Sequence, residues 1–150
     1  MSMGQMLLVL LGLVLFSTLV LSYYNILGSQ VEMVEKNQLQ KQALKIIDFR
    51  FQLIESEVIS NSKNLQQIYA EYPDFTTAID TLILNNKPYR VYVKANKCNA
   101  KGENVSGTAY YIRMDARVDV PIAEKDTVKV GLLDNPISKV FGDIFGAGII

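Results

Sequence analysis

Residues 6–21 read MLLVLLGLVLFSTLVL, and the first charged side chain anywhere in the chain is Glu32. Roughly 30 residues without Lys, Arg, Asp or Glu carry a large hydrophobic penalty in water, and wound into a helix they cross the ~30 Å hydrocarbon core of a bilayer. The N-terminal part therefore belongs in lipid or in the apolar interior of an assembly. Its flanks differ from those of a secretory signal. Met1 to Gln5 is neutral where signal peptides and membrane anchors carry Lys or Arg, and Leu21-Ser22-Tyr23-Tyr24-Asn25 leads directly into Ile26 and Leu27 with no small-residue cleavage site. The apolar head is expected to be retained.

Beyond Asn25 the helical period persists while the composition turns amphipathic. Leu44, Ile47, Phe51, Ile54 and Val58 recur at steps of three and four, which puts them on one stripe facing a core, and Leu27, Val31 and Val34 begin a similar stripe earlier. Glu32, Glu35, Lys36, Lys41, Lys45, Asp48, Arg50, Glu55 and Glu57 solvate the other side, and no proline occurs before Pro73. The pattern predicts one helix from about Gly4 to about Ser60, near 85 Å long. Gly12 and Gly28 each weaken it by about 1 kcal/mol relative to Ala. They serve either as points of bending or as places where another helix approaches closely.

Organisation changes at Ser60. Ser60-Asn61-Ser62-Lys63-Asn64 are helix-ending residues, Leu65, Ile68 and Tyr69 suggest a short helical turn before Tyr72-Pro73, and Asp74 is placed to cap a second short helix through Thr76, Ala78, Ile79, Leu82 and Ile83, unless their β-branched content makes a strand. From Tyr89 the period becomes two. Tyr89, Val91 and Val93 alternate with polar neighbours, and Tyr110, Ile112, Met114, Ala116, Val118 and Val120 do so more clearly. Asn96 to Gly107 reads as the hairpin loop between them, and Thr127 to Leu132 as a third strand after an Ala123–Asp126 turn. The expected fold is α+β: a long N-terminal α-helix, apolar in its first half and amphipathic in its second, packed against a small antiparallel β-sheet. Four segments follow: residues 1–26 as apolar helix, 27–60 as its amphipathic continuation, 61–88 as a linker with short helical elements, and 89–150 as an antiparallel β head ending in an apolar tail.

Chemistry is narrowly bounded. The chain has 15 basic and 15 acidic residues, no His and a single cysteine, Cys98. A Cys/His zinc site, a Ser-His or Cys-His nucleophile pair and an intrachain disulfide cannot be built, no carboxylate pair stands in a distinguishing context, and a neutral balance selects neither nucleic acid nor an acidic surface. No catalytic, cofactor-binding or metal residue is assigned, and an enzyme is not expected. Cys98 lies in no Cys-x-x-Cys-His haem setting. Asn104-Val105-Ser106 is an N-glycosylation acceptor triplet in the loop. Tyr89, Tyr92, Tyr110 and Tyr111 are assigned to sheet packing. The tail with Val140, Phe141, Ile144, Phe145, Ala147, Ile149 and Ile150 is too apolar to hang free, so it covers its own sheet or docks on a neighbouring copy.

A neutral apolar helix opening Met1-Ser2-Met3-Gly4-Gln5-Met6-Leu7-Leu8, running into an amphipathic half and then a compact antiparallel sheet, resembles the type IV pilins and related pilin-like subunits. The layout spans the chain, while its sequence-specific part covers about the first 25 residues. The resemblance implies a short basic leader removed by a prepilin peptidase, an inner-membrane precursor, handling by pilus assembly machinery, and apolar helices bundled into the core of an extracellular cell-surface filament. Numbered as a mature pilin, the chain has Met1 at its N-terminus and Gln5 where the family usually has glutamate; in a second alignment Gly4 precedes the cut and Gln5 is the first mature residue. Gln5 can hydrogen-bond but cannot form the family's salt bridge to a neighbour's terminal amine. The helix-breaking proline is absent, with Ser22 near its expected place, and so are the paired C-terminal cysteines of many pilins.

Assembly follows from physics as well. A helix apolar on all sides is satisfied only when surrounded, and copies related by a screw operation surround one another without closing, which yields a fibre. Gln5, Leu7, Leu8, Leu11, Gly12, Leu15 and Ser22 are the candidate residues of that core, and Leu44, Ile47, Phe51, Ile54 and Val58 those of helix–head packing. In lipid the hydrophobic term largely cancels, so packing and polar pairing through Gln5, Ser17, Thr18 and Ser22 decide association. Ser17 and Thr18 can instead bond their own helix's carbonyls. The expected function is that of a homopolymeric filament subunit. Two alternatives stand beside it: a single-span membrane-anchored binding protein, and a minor pilin-like component of a secretion machine.

Overall fold

The structure is a computed structural model that describes residues 2–123, 126–132 and 134–142. The chain divides into two units, one ending at Gln38 and the other beginning at Leu39. A single helix, α1 (Met3–Ile59), supplies all of the helical residues of the first and the opening element of the second. Gly12 and Gly28 stay within its hydrogen-bonded ladder, so neither opens it. Its end is set by side-chain chemistry. Asn61 takes φ 54°, and the Asn61 and Ser62 N–H groups donate to the carbonyls of Val58 (3.1 Å) and Glu57 (3.0 Å), the Schellman pattern with Asn in the position usually held by Gly. Lys63 then bridges Glu57 at 3.3 Å and Glu71 at 2.7 Å, and the Glu71 hydrogen bond raises the pKa of its ammonium.

A short helix, α2 (Leu65–Glu71), opens on a capping box in which Asn64 Oδ1 accepts from the Gln67 N–H at 2.8 Å and Gln67 Oε1 from the Asn64 N–H at 3.0 Å. Five strands follow: β1 (Asp80–Leu84), β2 (Lys87–Cys98), β3 (Tyr111–Ala123), β4 (Asp126–Val130) and β5 (Ile137–Gly142). All pairings are antiparallel, in the order β1-β2-β3-β4, with β5 also on β3. Residues 111–116 of β3 pair with β5 and residues from Val118 onward with β4, so these two short strands lie end to end along one edge of β3. Gly131 makes the passage between them. It has φ 76°, and a Cβ there would stand 2.5 Å from the Ala116 carbonyl oxygen.

The core lies between one face of this sheet and the last part of α1. Leu39, Ala43, Ile46, Ile47, Phe51, Ile54 and Val58 are buried against Tyr89, Val91, Val93, Ile112, Met114, Ala116, Val118 and Val120. Phe51 meets Phe141 of β5 edge to face at 6.3 Å between ring centroids, and the buried Tyr89 hydroxyl donates to Gln42 Oε1. The fold is thus α+β, a long N-terminal helix packed on a five-stranded antiparallel sheet.

Several expectations are corrected in detail. Leu44 is 45% exposed, because at about 100° per residue the buried arc runs from Ile46 to Phe51 and Leu44 falls just beyond its edge; Ala43 and Ile46 take its place. Within residues 61–88 the strand alternative left open by the β-branched residues holds over Asp80–Leu84, paired to β2 through a two-residue Asn85-Asn86 turn with φ 50° and 63°. Asp74 caps no helix; its carboxylate accepts from the Thr76 N–H at 2.9 Å and from its hydroxyl at 2.6 Å. Among the described residues the sheet has five strands where three or so were expected. Val140 and Phe141, assigned to the tail, belong to β5, while Ile144, Phe145, Ala147, Ile149 and Ile150 lie outside the described residues.

Because Ile47 and Ile54 are each 1% exposed, replacing either with Ala is expected to cost about 2–5 kcal/mol of head stability. Leu44→Ala is expected to cost less than about 0.5 kcal/mol. Denaturant unfolding of the detergent-solubilised chain, followed by near-UV circular dichroism, reads both.

Candidate functional site: the apolar helix

The first unit is a helix whose start is built from uncharged groups. Ser2 Oγ accepts from the Gln5 N–H at 3.3 Å, Gln5 Oε1 accepts from the Ser2 N–H at 3.1 Å, and the Met6 N–H donates to the Ser2 carbonyl at 3.2 Å. This is a capping box, in which two backbone donors at the helix start are satisfied reciprocally. Sequence reasoning assigned Gln5 to a neighbouring copy and missed its partner three residues back, although Ser followed at the third position by Gln carries that signal. Met1, the expected N-terminal residue, lies outside the described residues.

From there the helix offers apolar groups in every direction. Leu7, Leu8, Val9 and Leu10 are 68%, 71%, 54% and 63% exposed, and four successive residues at about 100° each go around the whole circumference. Leu11 and Leu15 are exposed on the same terms, and so are Gly12 and Ser22. A Cβ on Gly12 would meet nothing within 4 Å, so the residue leaves a notch of bare backbone among large side chains. Three of the hydroxyls in the stretch are turned inward to the backbone: Ser17 Oγ donates to the Leu13 carbonyl at 2.8 Å, Thr18 Oγ1 to Leu15 at 2.8 Å and Ser29 Oγ to Ile26 at 2.9 Å. They present no unpaired donor to an apolar surrounding. α1 is long and apolar enough to cross a membrane by length and composition.

The head unit holds the other half of the predicted residues. Ile47, Phe51, Ile54 and Val58 come together in its core, and Leu44 does not join them. Sequence reasoning also passed over Asp115, the buried charged residue of the sheet's second face, 3% exposed. Its Oδ1 accepts from Arg113 Nε at 2.8 Å and from Ser138 Oγ at 2.6 Å; its Oδ2 accepts from Asn96 Nδ2 at 2.7 Å and Arg113 Nη2 at 3.1 Å. Asp115 thereby ties β2, β3 and β5 together, and it raises the pKa of Arg113 by holding its guanidinium in place. Arg113 and Asp115 at i and i+2 on one strand share a face, which was the available signal. Beside them on that face, Arg117 stacks on the Tyr92 ring at 4.2 Å and lies 5.8 Å from that of Phe75. No group of three His, Cys, Asp or Glu residues suited to a metal ion is found among the described residues.

Two measurements follow. Ser2→Ala leaves the Gln5 N–H without its acceptor, which is worth about 1 kcal/mol, and is expected to speed hydrogen exchange at that amide about fivefold; Ser17→Ala removes donor and bond together and leaves exchange along the helix unchanged. Asp115→Ala strands the Arg113 guanidinium and is expected to lower the head's unfolding free energy by about 3 kcal/mol, read by denaturant unfolding.

No protein-family model matches the chain, and neither a curated protein nor a solved structure matches it. A long apolar N-terminal helix followed by an antiparallel sheet that packs on the helix's later turns is a pilin-like architecture.

Proposed function

We propose that this chain is the structural subunit of an extracellular, type IV pilus-like filament, polymerising through its apolar N-terminal helix after a membrane-inserted precursor stage. The observation that carries the reading is the circumferential exposure of Leu7 to Leu10, continued at Leu11, Leu13 and Leu15. Neither water nor a one-sided partner suits such a surface. Copies of the same helix on every side do, and a screw arrangement of heterologous contacts supplies them without closing. Before assembly, lipid plays that part, and the internally bonded Ser17, Thr18 and Ser29 make the stretch compatible with it.

Release from lipid into a bundle gains little hydrophobic free energy, since both surroundings are apolar. Specificity then falls to shape and to the few polar groups. The notch at Gly12 admits a neighbour's side chain or backbone. Gln5 Oε1 already accepts one bond from its own helix start, while Nε2 keeps its donors for a neighbour. By the same resemblance, the partners of the precursor are the inner membrane, a prepilin peptidase and the assembly machinery, and the role is structural rather than catalytic.

Electron microscopy of sheared surface material tests the proposal: long fibres composed of this protein are expected, and recovery solely as detergent-soluble monomers would overturn it in favour of a single-span membrane-anchored protein. Leu11→Asp or Leu15→Asp is expected to abolish fibres while the head remains folded, because an unpaired charge at mid-membrane depth costs about 2.5–3.5 kcal/mol and has no partner in either setting. Normal fibres from these variants would contradict a buried helical core.

A further inference from the structure

The β2–β3 loop carries the chain's one Asn-x-Ser/Thr triplet, Asn104-Val105-Ser106. That loop is a built element. Asn99 Oδ1 accepts from the N–H groups of Lys101 (2.9 Å) and Glu103 (3.0 Å), the Asn99 N–H donates to the Glu103 carbonyl at 2.9 Å, and Arg113 Nη1 reaches the Gly102 carbonyl at 2.8 Å. Immediately after this turn Asn104 forms an antiparallel bridge with Cys98, and the Val105 N–H donates to the Lys97 carbonyl at 3.1 Å. Val105 is half-buried and anchors the triplet, while Asn104 and Ser106 are exposed on either side of it. The acceptor carboxamide and the hydroxyl that a transferase reads are thus both open to solvent, on backbone fixed through Arg113 to the buried Asp115.

We propose that Asn104 is an N-glycosylation site, modified by transfer from an isoprenoid-phosphate-linked oligosaccharide on the outer side of the membrane. Asn104 Nδ2 forms a bond to the anomeric carbon of the sugar, the bond from that carbon to the carrier's phosphate oxygen breaks, the carrier departs as its phosphate, and one Nδ2 proton passes to a base of the transferase. The loop's hydrogen bonds then hold the root of the glycan in one direction, away from the buried face of the sheet. The assignment rests on the filament reading in one respect, that the head lies outside the cell.

Intact-mass and glycopeptide mass spectrometry of the protein from its own host tests it, with protease accessibility of the head on intact cells measured in parallel. Expected is a wild-type chain heavier than its unmodified mass by one glycan, on the peptide containing Asn104. Ser106→Thr is expected to keep the modification, and Asn104→Gln and Ser106→Ala to lose it completely. An unmodified Asn104 in a head that is accessible at the surface overturns the glycosylation site and leaves the filament standing. An unmodified Asn104 in a head shielded inside the cell overturns both.

Discussion

Side chains as large as leucine, placed on every side of one helix, have to be covered by something other than water, and the rest of this protein is arranged around that requirement. At about 1.5–3 kcal/mol for each large apolar side chain, the exposed stretch from Met3 to Val34 would cost tens of kcal/mol in solvent. The chain answers with backbone groups, and several side-chain polar groups, that are satisfied inside the helix itself. Ser2 and Gln5 close the helix start, Ser17, Thr18 and Ser29 bond their own carbonyls, and no charge intervenes before Glu32. Such a helix can exchange lipid for protein neighbours with little change in its own hydrogen bonding.

The same helix meets a different solvent from Leu39 onward. There the apolar residues contract to one arc, from Ile46 through Leu39, Ala43, Ile54 and Ile47 to Val58 and Phe51, and the remaining circumference carries Lys41, Lys45, Asp48 and Gln52. One face is buried by the sheet and the other is wetted. Ion pairs also tie the helix to the sheet, Arg50 to Asp80 at 2.7 Å and Lys139 to Glu55 at 2.8 Å. Both pairs are partly exposed and contribute less than the apolar contacts they flank.

The opposite face of the sheet carries a polar cluster around Asp115. Asp115 collects donors from three strands, and Arg113 passes the connection on to the Gly102 carbonyl in the β2–β3 loop. A buried carboxylate with four hydrogen bonds is tolerable where an unpaired one is not. The result is a loop whose geometry is fixed by the sheet beneath it, and that loop carries the acceptor triplet at Asn104.

What the sequence by itself determined is whatever follows from local periodicity and solvent preference. The charge-free opening, the bounds of α1 to within a residue, the short α2 and the two long alternating strands were legible because each is specified by its own residues: 3.6-residue spacing, Asn and Ser at helix ends, and strict apolar–polar alternation. What tertiary structure decided is everything that depends on a partner distant in the chain. Asp80–Leu84 is a strand because β2 offers it an edge, Ile137–Gly142 is a strand because β3 does, and Leu44 is left outside because the sheet covers an arc that ends before it. Asn96 and Ser138 join Asp115 from two other strands, which no spacing rule brings to it, since hydrogen bonds between strands are set by register.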